Sequence, residues 1–324
     1  MQIFHKHAKT KEAKLQVALA EIPYIKNTLR SMEISKKTLL TPVIKHVGGP
    51  GETWIQTRNE MLKEREIKIK KVLDKIEQNR EKTKQNRIKK EIPIVAVVGY
   101  TNSGKTSLIK ALTHDERLQP KNVLFATLDV SVHAGQLPSS NSQILYTDTI
   151  GFISYIPTTL IQSFNATLKD ISLANLIVHV CDASHPNYHL QRRTVHQTLK
   201  EINVSDELIG SMIEVYNKID LVENHEDFQD QDNISVSATK GTNLNNLLKV
   251  IEEKIMENTG RFITTFRVPN GGIEYRWLYK EAGLIKCEAD PKDYNFLLMN
   301  VILTKKVFYK FKHYFPEYSQ SVNV

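Results

Sequence analysis

The chain has 324 residues, room for two or three domains, and a formal net charge of +8 from 44 Lys/Arg against 36 Asp/Glu. At 40% hydrophobic and 25% charged residues it reads as a soluble globular protein, and no apolar run approaches the length of a membrane span. Two cysteines, Cys181 and Cys287, without C-x-x-C spacing argue against a disulfide framework or structural zinc.

The first residues, Met1 to His7, lack the apolar core of a secretory signal and do not read as a transit peptide. Leu15, Leu19, Ile22 and Leu29 then follow a four-three-seven spacing, and Ile55, Leu62, Ile69 and Ile76 recur every seven residues. Two long helices packed as an antiparallel hairpin are predicted, with their apolar stripes facing each other. The connection across 31–53 carries Gly48-Gly49-Pro50-Gly51, which cannot be regular helix. Residues 53–91 hold 13 Lys/Arg against 7 Asp/Glu, most of the net charge. Such a face is ordinarily just solvated; its alternative use is contact with nucleic-acid phosphates.

Residues 92–258 alternate strand-like and helical runs, which predicts an α/β domain: a mostly parallel sheet with helices on both faces and one antiparallel edge strand. It opens with the apolar run Ile94 to Val98, followed by Gly99-Tyr100-Thr101-Asn102-Ser103-Gly104-Lys105-Thr106 and a helix from Ser107. Strand, G-x-x-x-x-G-K-T loop and helix together form the context of a phosphate-binding loop. The glycines let backbone N–H groups turn inward around an anion, and the helix N-terminus adds partial positive charge. Lys105 would reach the β- and γ-phosphates, and the Thr106 hydroxyl would hold Mg²⁺.

Phe125-Ala126-Thr127 follows, with Thr127 as the expected switch threonine, on Mg²⁺ and the γ-phosphate; the alternative is an ordinary loop threonine. Strand 143–147 leads into Asp148-Thr149-Ile150-Gly151, a D-x-x-G word. Asp148 would reach Mg²⁺ through a water and the Gly151 N–H would meet the γ-phosphate. Lys105, Thr127 and Gly151 are thus the expected catalytic set. Phe152 stands where a glutamine can orient the attacking water, so hydrolysis should be slow without a partner; Phe152 would equally serve as core.

After the buried run 212–216, Asn217-Lys218-Ile219-Asp220 is the N-K-x-D word of guanine recognition. Asp220 can accept from N1–H and the 2-amino group of guanine, donors that adenine lacks. The Asn217 amide suits the O6/N7 edge and the Lys218 stem can lie over the base. Ser237-Ala238-Thr239 supplies a loop whose Ala238 N–H can donate to O6. His179 and Cys181 lie in a buried strand and read as structural. A last helix from 244 to about 257 stops near Gly260.

Residues 259–324 read as a small α+β unit: strand 262–268, helix 272–281, strands 284–289 and 296–303, helix 305–315. Trp277, Tyr279, Phe308, Tyr309 and Phe311 are expected in its core.

Asp148 to Ile153 running into Leu160-Ile161-Gln162-Ser163-Phe164-Asn165-Ala166-Thr167-Leu168 resembles the D-T-V-G-F-I and F-x-A-T-L words of the HflX family. His179-Val180-Cys181-Asp182-Ala183-Ser184-His185-Pro186 resembles its H-V-x-D-A-S-H-P. Residues 10–17 and 49–53 resemble the helical region that precedes its G domain. The resemblance covers most of residues 5–258 and implies a P-loop GTPase that binds the large ribosomal subunit and its rRNA and splits or recycles ribosomes, or acts in subunit assembly. It implies GTP as substrate, GDP as product, Mg²⁺, no membrane and a monomer. The tail past Arg261 looks more like the animal mitochondrial branch, hence a mitochondrial location, with the cytoplasm as alternative. Family members carry an α/β domain ahead of the helices, so the chain is expected to be N-terminally shortened. The competing readings are a switch that recruits a protein effector and a GTP-driven RNA-modifying enzyme; the second lacks any added catalytic motif, and the N-K-x-D word disfavours a nucleotide kinase.

Overall fold

The computed structural model describes residues 2–8, 10–38, 54–89, 92–120, 131–140, 142–152, 171–222 and 234–320. The glycine loop at 48–51, the segment Phe125-Ala126-Thr127, and Ile153 with the word at 160–168 lie outside the described residues.

Helix α1 (Gln2–His7) precedes α2 (Lys11–Thr38) and α3 (Trp54–Lys89). Thr10 caps α2, its hydroxyl accepting from the Ala13 N–H at 3.1 Å. The two heptad stripes meet as their spacing requires: Ile22 and Leu29 of α2 form one buried cluster with Leu62 and Ile69 of α3. Lys26 donates to Glu66 across the pair at 3.0 Å, and Lys70 to the same carboxylate at 2.8 Å. Hydrogen bonds from Lys70 and Lys26 hold the Glu66 carboxyl below its usual range. Helix α2 continues to Thr38, so residues 31–38 are helix and not the expected connection. No glycine or proline falls between Pro23 and Pro42, and nothing local stops the helix. Lys68, Lys71, Lys75 and Lys82 are exposed, and their three-four-seven spacing puts them in one stripe on the side of α3 away from Leu62 and Ile69.

The six-stranded sheet comprises β1 (Ile94–Gly99), β2 (Ser131–Gln136), β3 (Gln143–Asp148), β4 (Leu176–Asp182), β5 (Ile213–Asn217) and β6 (Ile234–Ser235). Their order is β2-β3-β1-β4-β5-β6. All neighbours are parallel except the edge pair β2–β3, the arrangement read from the sequence. Between them run α4 (Lys105–Thr113), α5 (Tyr188–Glu201), α6 (Asp206–Gly210) and α7 (Leu244–Thr259). Alternation along β1 serves both faces. Val95 and Val97 pack with Leu108 and Ile109 of α4 and Leu247 and Ile251 of α7. Ala96 and Val98 pack with Val195 and Leu199 of α5. Because β3 and β4 flank β1 on opposite sides, a crevice opens at the carboxyl ends of the strands, the place where such sheets bind ligands.

Gly260 ends α7 in the left-handed region at φ 60°. Beyond it, β7 (Arg261–Pro269), α8 (Ile273–Glu281), β8 (Gly283–Asp290), β9 (Asp293–Thr304) and α9 (Lys305–Tyr314) form an antiparallel sheet, ordered β7-β9-β8, with two helices. Phe266, Leu278, Met299, Phe308 and Phe311 make its core, with Trp277 against Phe311. Tyr279 and Tyr309, expected in that core, are instead 63% and 68% exposed. Each lies one position past a buried residue, Leu278 and Phe308, and about 100° of helical turn carries it to the outer face.

Candidate nucleotide site

The phosphate loop leaves β1 at Gly99 and enters α4 at Lys105. Gly104 sits at φ +93°, and a Cβ there would lie 2.2 Å from the Asn217 side-chain nitrogen, so only glycine fits. Lys105 is 6% exposed, and its Nζ donates to the carbonyls of Gly99 at 3.1 Å and Tyr100 at 2.9 Å. Burial pushes its pKa down to about 8, against the pull of the Asp148 carboxylate. Thr101 Oγ1 and Ser103 Oγ are buried with no hydrogen-bond partner among the described residues. Asn102 is exposed at the turn, in the left-handed region at φ 64°. Ser107, Lys110, Ala111 and His114 of the α4 region line a cavity of about 550 Å³ together with Ala238 and Thr239.

The end of β3 closes over this loop. Asp148 is 1% exposed and accepts from the Thr106 hydroxyl at 2.7 Å. The Thr149 hydroxyl donates to the Val97 carbonyl at 2.7 Å, and Ile150 is buried. A Cβ on Gly151 would come within 2.9 Å of Thr101 and 3.1 Å of Lys105 Nζ, so this glycine is set by close approach. The Phe152 N–H donates to the Gly99 carbonyl at 3.0 Å, and the Thr101 N–H to the Phe152 carbonyl at 2.8 Å. The Phe152 ring lies in the core with Ala96, Val98 and Leu199. It therefore packs as core and offers the site no polar group.

Asn217, Lys218 and Asp220 at the end of β5 meet the loop at 237–239. The sequence places the Asn217 amide and the Ala238 N–H at the edge of guanine. In the structure they instead bond each other and the phosphate loop: Asn217 Nδ2 donates to the Ser103 carbonyl at 3.0 Å, and the Ala238 N–H donates to Asn217 Oδ1 at 3.0 Å. Asn217, 2% exposed, is thus a strut between the two loops. Asp220 accepts from the Ser237 hydroxyl at 2.6 Å, and Thr239 Oγ1 lies 3.2 Å from that hydroxyl. Lys218 donates to the Asn102 carbonyl at 2.8 Å and to Asp182 at 2.6 Å. Asp182 went unassigned in the sequence; its signal was present in the word at 179–186, without a role attached.

A second buried polar group lies beneath β4 and β5. Glu214 Oε1 takes Arg192 at 2.8 Å and His196 at 2.9 Å, with His179 Nδ1 3.8 Å away. Burial alone would raise the Glu214 carboxyl, but His179, Arg192 and His196 hold it at about 2. Burial keeps His179 below its usual value. Burial pushes the Cys181 thiol up to about 12, far from a reactive thiolate. Both residues are buried in β4, where the sequence placed them.

Family profiles cover two adjoining stretches. Residues 7–87 match the one described as GTP-binding GTPase Middle Region, and residues 94–218 the one described as 50S ribosome-binding GTPase. GTP-binding protein 6 of Xenopus laevis is 42% identical over 315 residues, which cover 97% of this chain and 59% of that protein. The human protein of that name is 42% identical over 98% of this chain and 60% of its own length. GTPase HflX of Lacrimispora saccharolytica is 34% identical over 88% of this chain and 64% of its own. The chain thus spans about 60% of the length of the animal relatives it matches. The matches span the helical pair as well as the phosphate loop and base loop just described, and the chain belongs to the HflX family of P-loop GTP-binding proteins.

Proposed function

We propose that the chain binds GTP at the carboxyl edge of the six-stranded sheet, hydrolyses it slowly when alone, and in its GTP form acts on the large ribosomal subunit. The observation that carries the nucleotide assignment is the convergence of Lys105, Asp148, Gly151 and Asn217 on one crevice from the ends of three strands, β1, β3 and β5. In this reading Gly99 to Ser107 wrap the phosphates. The Thr101 and Ser103 hydroxyls, without a hydrogen-bond partner among the described residues, and the Lys105 ammonium now held by carbonyls, would be the donors that line the cradle. Asp220 reads the guanine base, with Lys218 along its face and Ser237, Ala238 and Thr239 behind it. Phe125, Ala126 and Thr127 form the switch segment.

The donor set fits Mg²⁺. Thr106 and Asp148 present two hard oxygen donors in contact with each other at the mouth of the cradle. Thr106, Thr127 and, through a water, Asp148 would hold the ion, whose chemistry is to neutralise charge on the β- and γ-phosphates. The chain's own part is to position the phosphates with Lys105 and the Gly151 N–H.

Three units divide the work: a helical unit over 1–91, the G domain over 92–258 and the α+β unit over 259–324. The lysine stripe on α3 suits phosphate contacts with rRNA, which would loosen the contacts between ribosomal subunits; hydrolysis then lets the protein leave. Support for that partner comes from the family described as 50S ribosome-binding GTPase. The resemblance of the tail past Arg261 to the animal mitochondrial branch favours a mitochondrial place of action in recycling or assembly. No helix among the described residues is long and apolar enough to cross a membrane. The test is steady-state GTP hydrolysis with and without purified large ribosomal subunits at two salt concentrations. Strong stimulation that fades with salt is expected. No stimulation by subunits would turn the assignment toward a switch for a protein effector.

A further inference from the structure

Lys218 sits where three chain segments meet. Its backbone is in the left-handed region at φ 64°, unusual for a lysine. Its ammonium bridges the Asn102 carbonyl of the phosphate loop and the Asp182 carboxylate at the end of β4. Asp182 is itself fixed: its other oxygen accepts from the Ser184 N–H at 3.1 Å and the Ser184 hydroxyl at 2.6 Å. Both partners are largely shielded, with side chains 24% and 12% exposed.

We propose that Asp182 is a positioning residue for the guanine-nucleotide site: by clamping Lys218 between the phosphate loop and the base loop, it sets how long a nucleotide stays bound. This rests on the guanine reading above. A lysine stem has four rotatable carbons, and a single carbonyl does not fix its direction. The carboxylate supplies the counter-charge that makes the aim unique, and it ties β4 to the two loops that must part before a nucleotide leaves. Removing one partner of a shielded charge pair acts mainly on dissociation. Base choice belongs to Asp220 and phosphate chemistry to Lys105 and Gly151, so neither should follow Asp182.

The experiment measures release of a fluorescent GDP from the 324-residue chain and from Asp182→Asn, Asp182→Glu and Ser184→Ala. Release from Asp182→Asn should be roughly tenfold faster than from the unaltered chain. Asp182→Glu, which keeps the charge, should lie nearer the unaltered chain. Ser184→Ala, which loses one anchor of the carboxylate, should speed release by about two- to threefold. The preference for GDP over XDP and the single-turnover hydrolysis of pre-bound GTP should not move; a merely structural lesion would lower thermal stability without this selective change. Unchanged release from a folded Asp182→Asn chain, or a shift in base preference, overturns the proposal. Should Asp182→Asn fail to fold, unchanged release from Ser184→Ala overturns it instead. If the unaltered chain binds no GDP at all, the guanine reading itself falls.

Discussion

The Thr106 hydroxyl donates to the Asp148 carboxylate across 2.7 Å, joining the first turn of α4 to the end of β3 over 42 residues of chain. Two oxygen donors are therefore set against each other at the point where the β- and γ-phosphates would lie. Asp148→Asn should weaken Mg²⁺-dependent GTP binding by about 10- to 100-fold, the range for losing a group that holds a metal through a water. Binding of GDP without Mg²⁺ should change little. Fluorescence titrations with and without the ion separate these; an equal loss in both would show that Asp148 serves the loop and not the metal.

Lys105 gives a pH dependence whose sign is fixed by its surroundings. In the free chain burial holds it at about 8. Phosphates beside it favour the charged form, so its pKa in the complex is higher. Above about 8, binding takes up a proton, and affinity should fall by about tenfold per pH unit until the complex itself titrates. Below it, affinity should be flat. Dissociation constants for GDP measured from neutral to alkaline pH test this, and a profile that stays flat to high pH contradicts it. Lys105→Ala should abolish nucleotide binding; normal GTP affinity in that variant would falsify the phosphate-loop assignment.

The Asp220 carboxylate, held by the Ser237 hydroxyl at 2.6 Å, is the group proposed to distinguish bases. Asp220→Asn replaces one acceptor by a donor, which suits the 2-oxygen of xanthine and not the 2-amino group of guanine. Relative affinity should swing from guanine to xanthine nucleotides by roughly two orders of magnitude or more. Competition between GDP and XDP measures it, and an unchanged ratio removes Asp220 from base recognition.

Acid should unfold the G domain through the group around Glu214. Its folded pKa of about 2 lies below the ordinary 4.5, so its contribution is complete above 4.5 and is lost as pH falls toward 2. His179, lowered from 6.5 by burial, adds to this: below 6.5 the unfolded chain takes up a proton that the folded one resists. Arg192, His196 and Cys181 face the same carboxylate, and Arg192 and His196 hold it ionised. Thermal melts should fall in temperature from about pH 6.5 downward. Glu214→Gln should melt lower at neutral pH and show a shallower fall with acid; a fall as steep as that of the unaltered chain would place the acid-sensitive group elsewhere.

How much of this was legible before folding differs by residue. The strand-loop-helix at 94–112 could be read because its signal is local: a β-branched run, glycines at fixed spacing, then Lys-Thr. The heptads of α2 and α3 were legible for the same reason. The strut role of Asn217 was not, since its partner Ser103 lies 114 residues away and only the sheet order brings them together. Asp182 stayed without a role because Lys218, 36 residues on, reaches it from the neighbouring strand. The exposure of Tyr279 and Tyr309 turns on one step around a helix, finer than aromatic content can resolve.

The lysine stripe of α3 provides the last prediction. Lys68, Lys71, Lys75 and Lys82 are exposed on the side opposite Leu62 and Ile69. Among the described residues Lys68 pairs with Glu64 at 3.6 Å, both side chains exposed, a contact of little energetic weight. If the stripe lies on rRNA phosphates, each lysine in contact releases counterions on binding. The slope of log affinity against log salt should then shrink by about 0.7 to 0.9 for every lysine replaced that makes such a contact. Replacing Lys71, Lys75 and Lys82 by glutamine should lower both affinity for large subunits and that slope, while leaving the apolar seam of the helix pair and the GDP affinity intact. A drop in affinity with the slope unchanged would mean that the stripe acts through packing and not through charge.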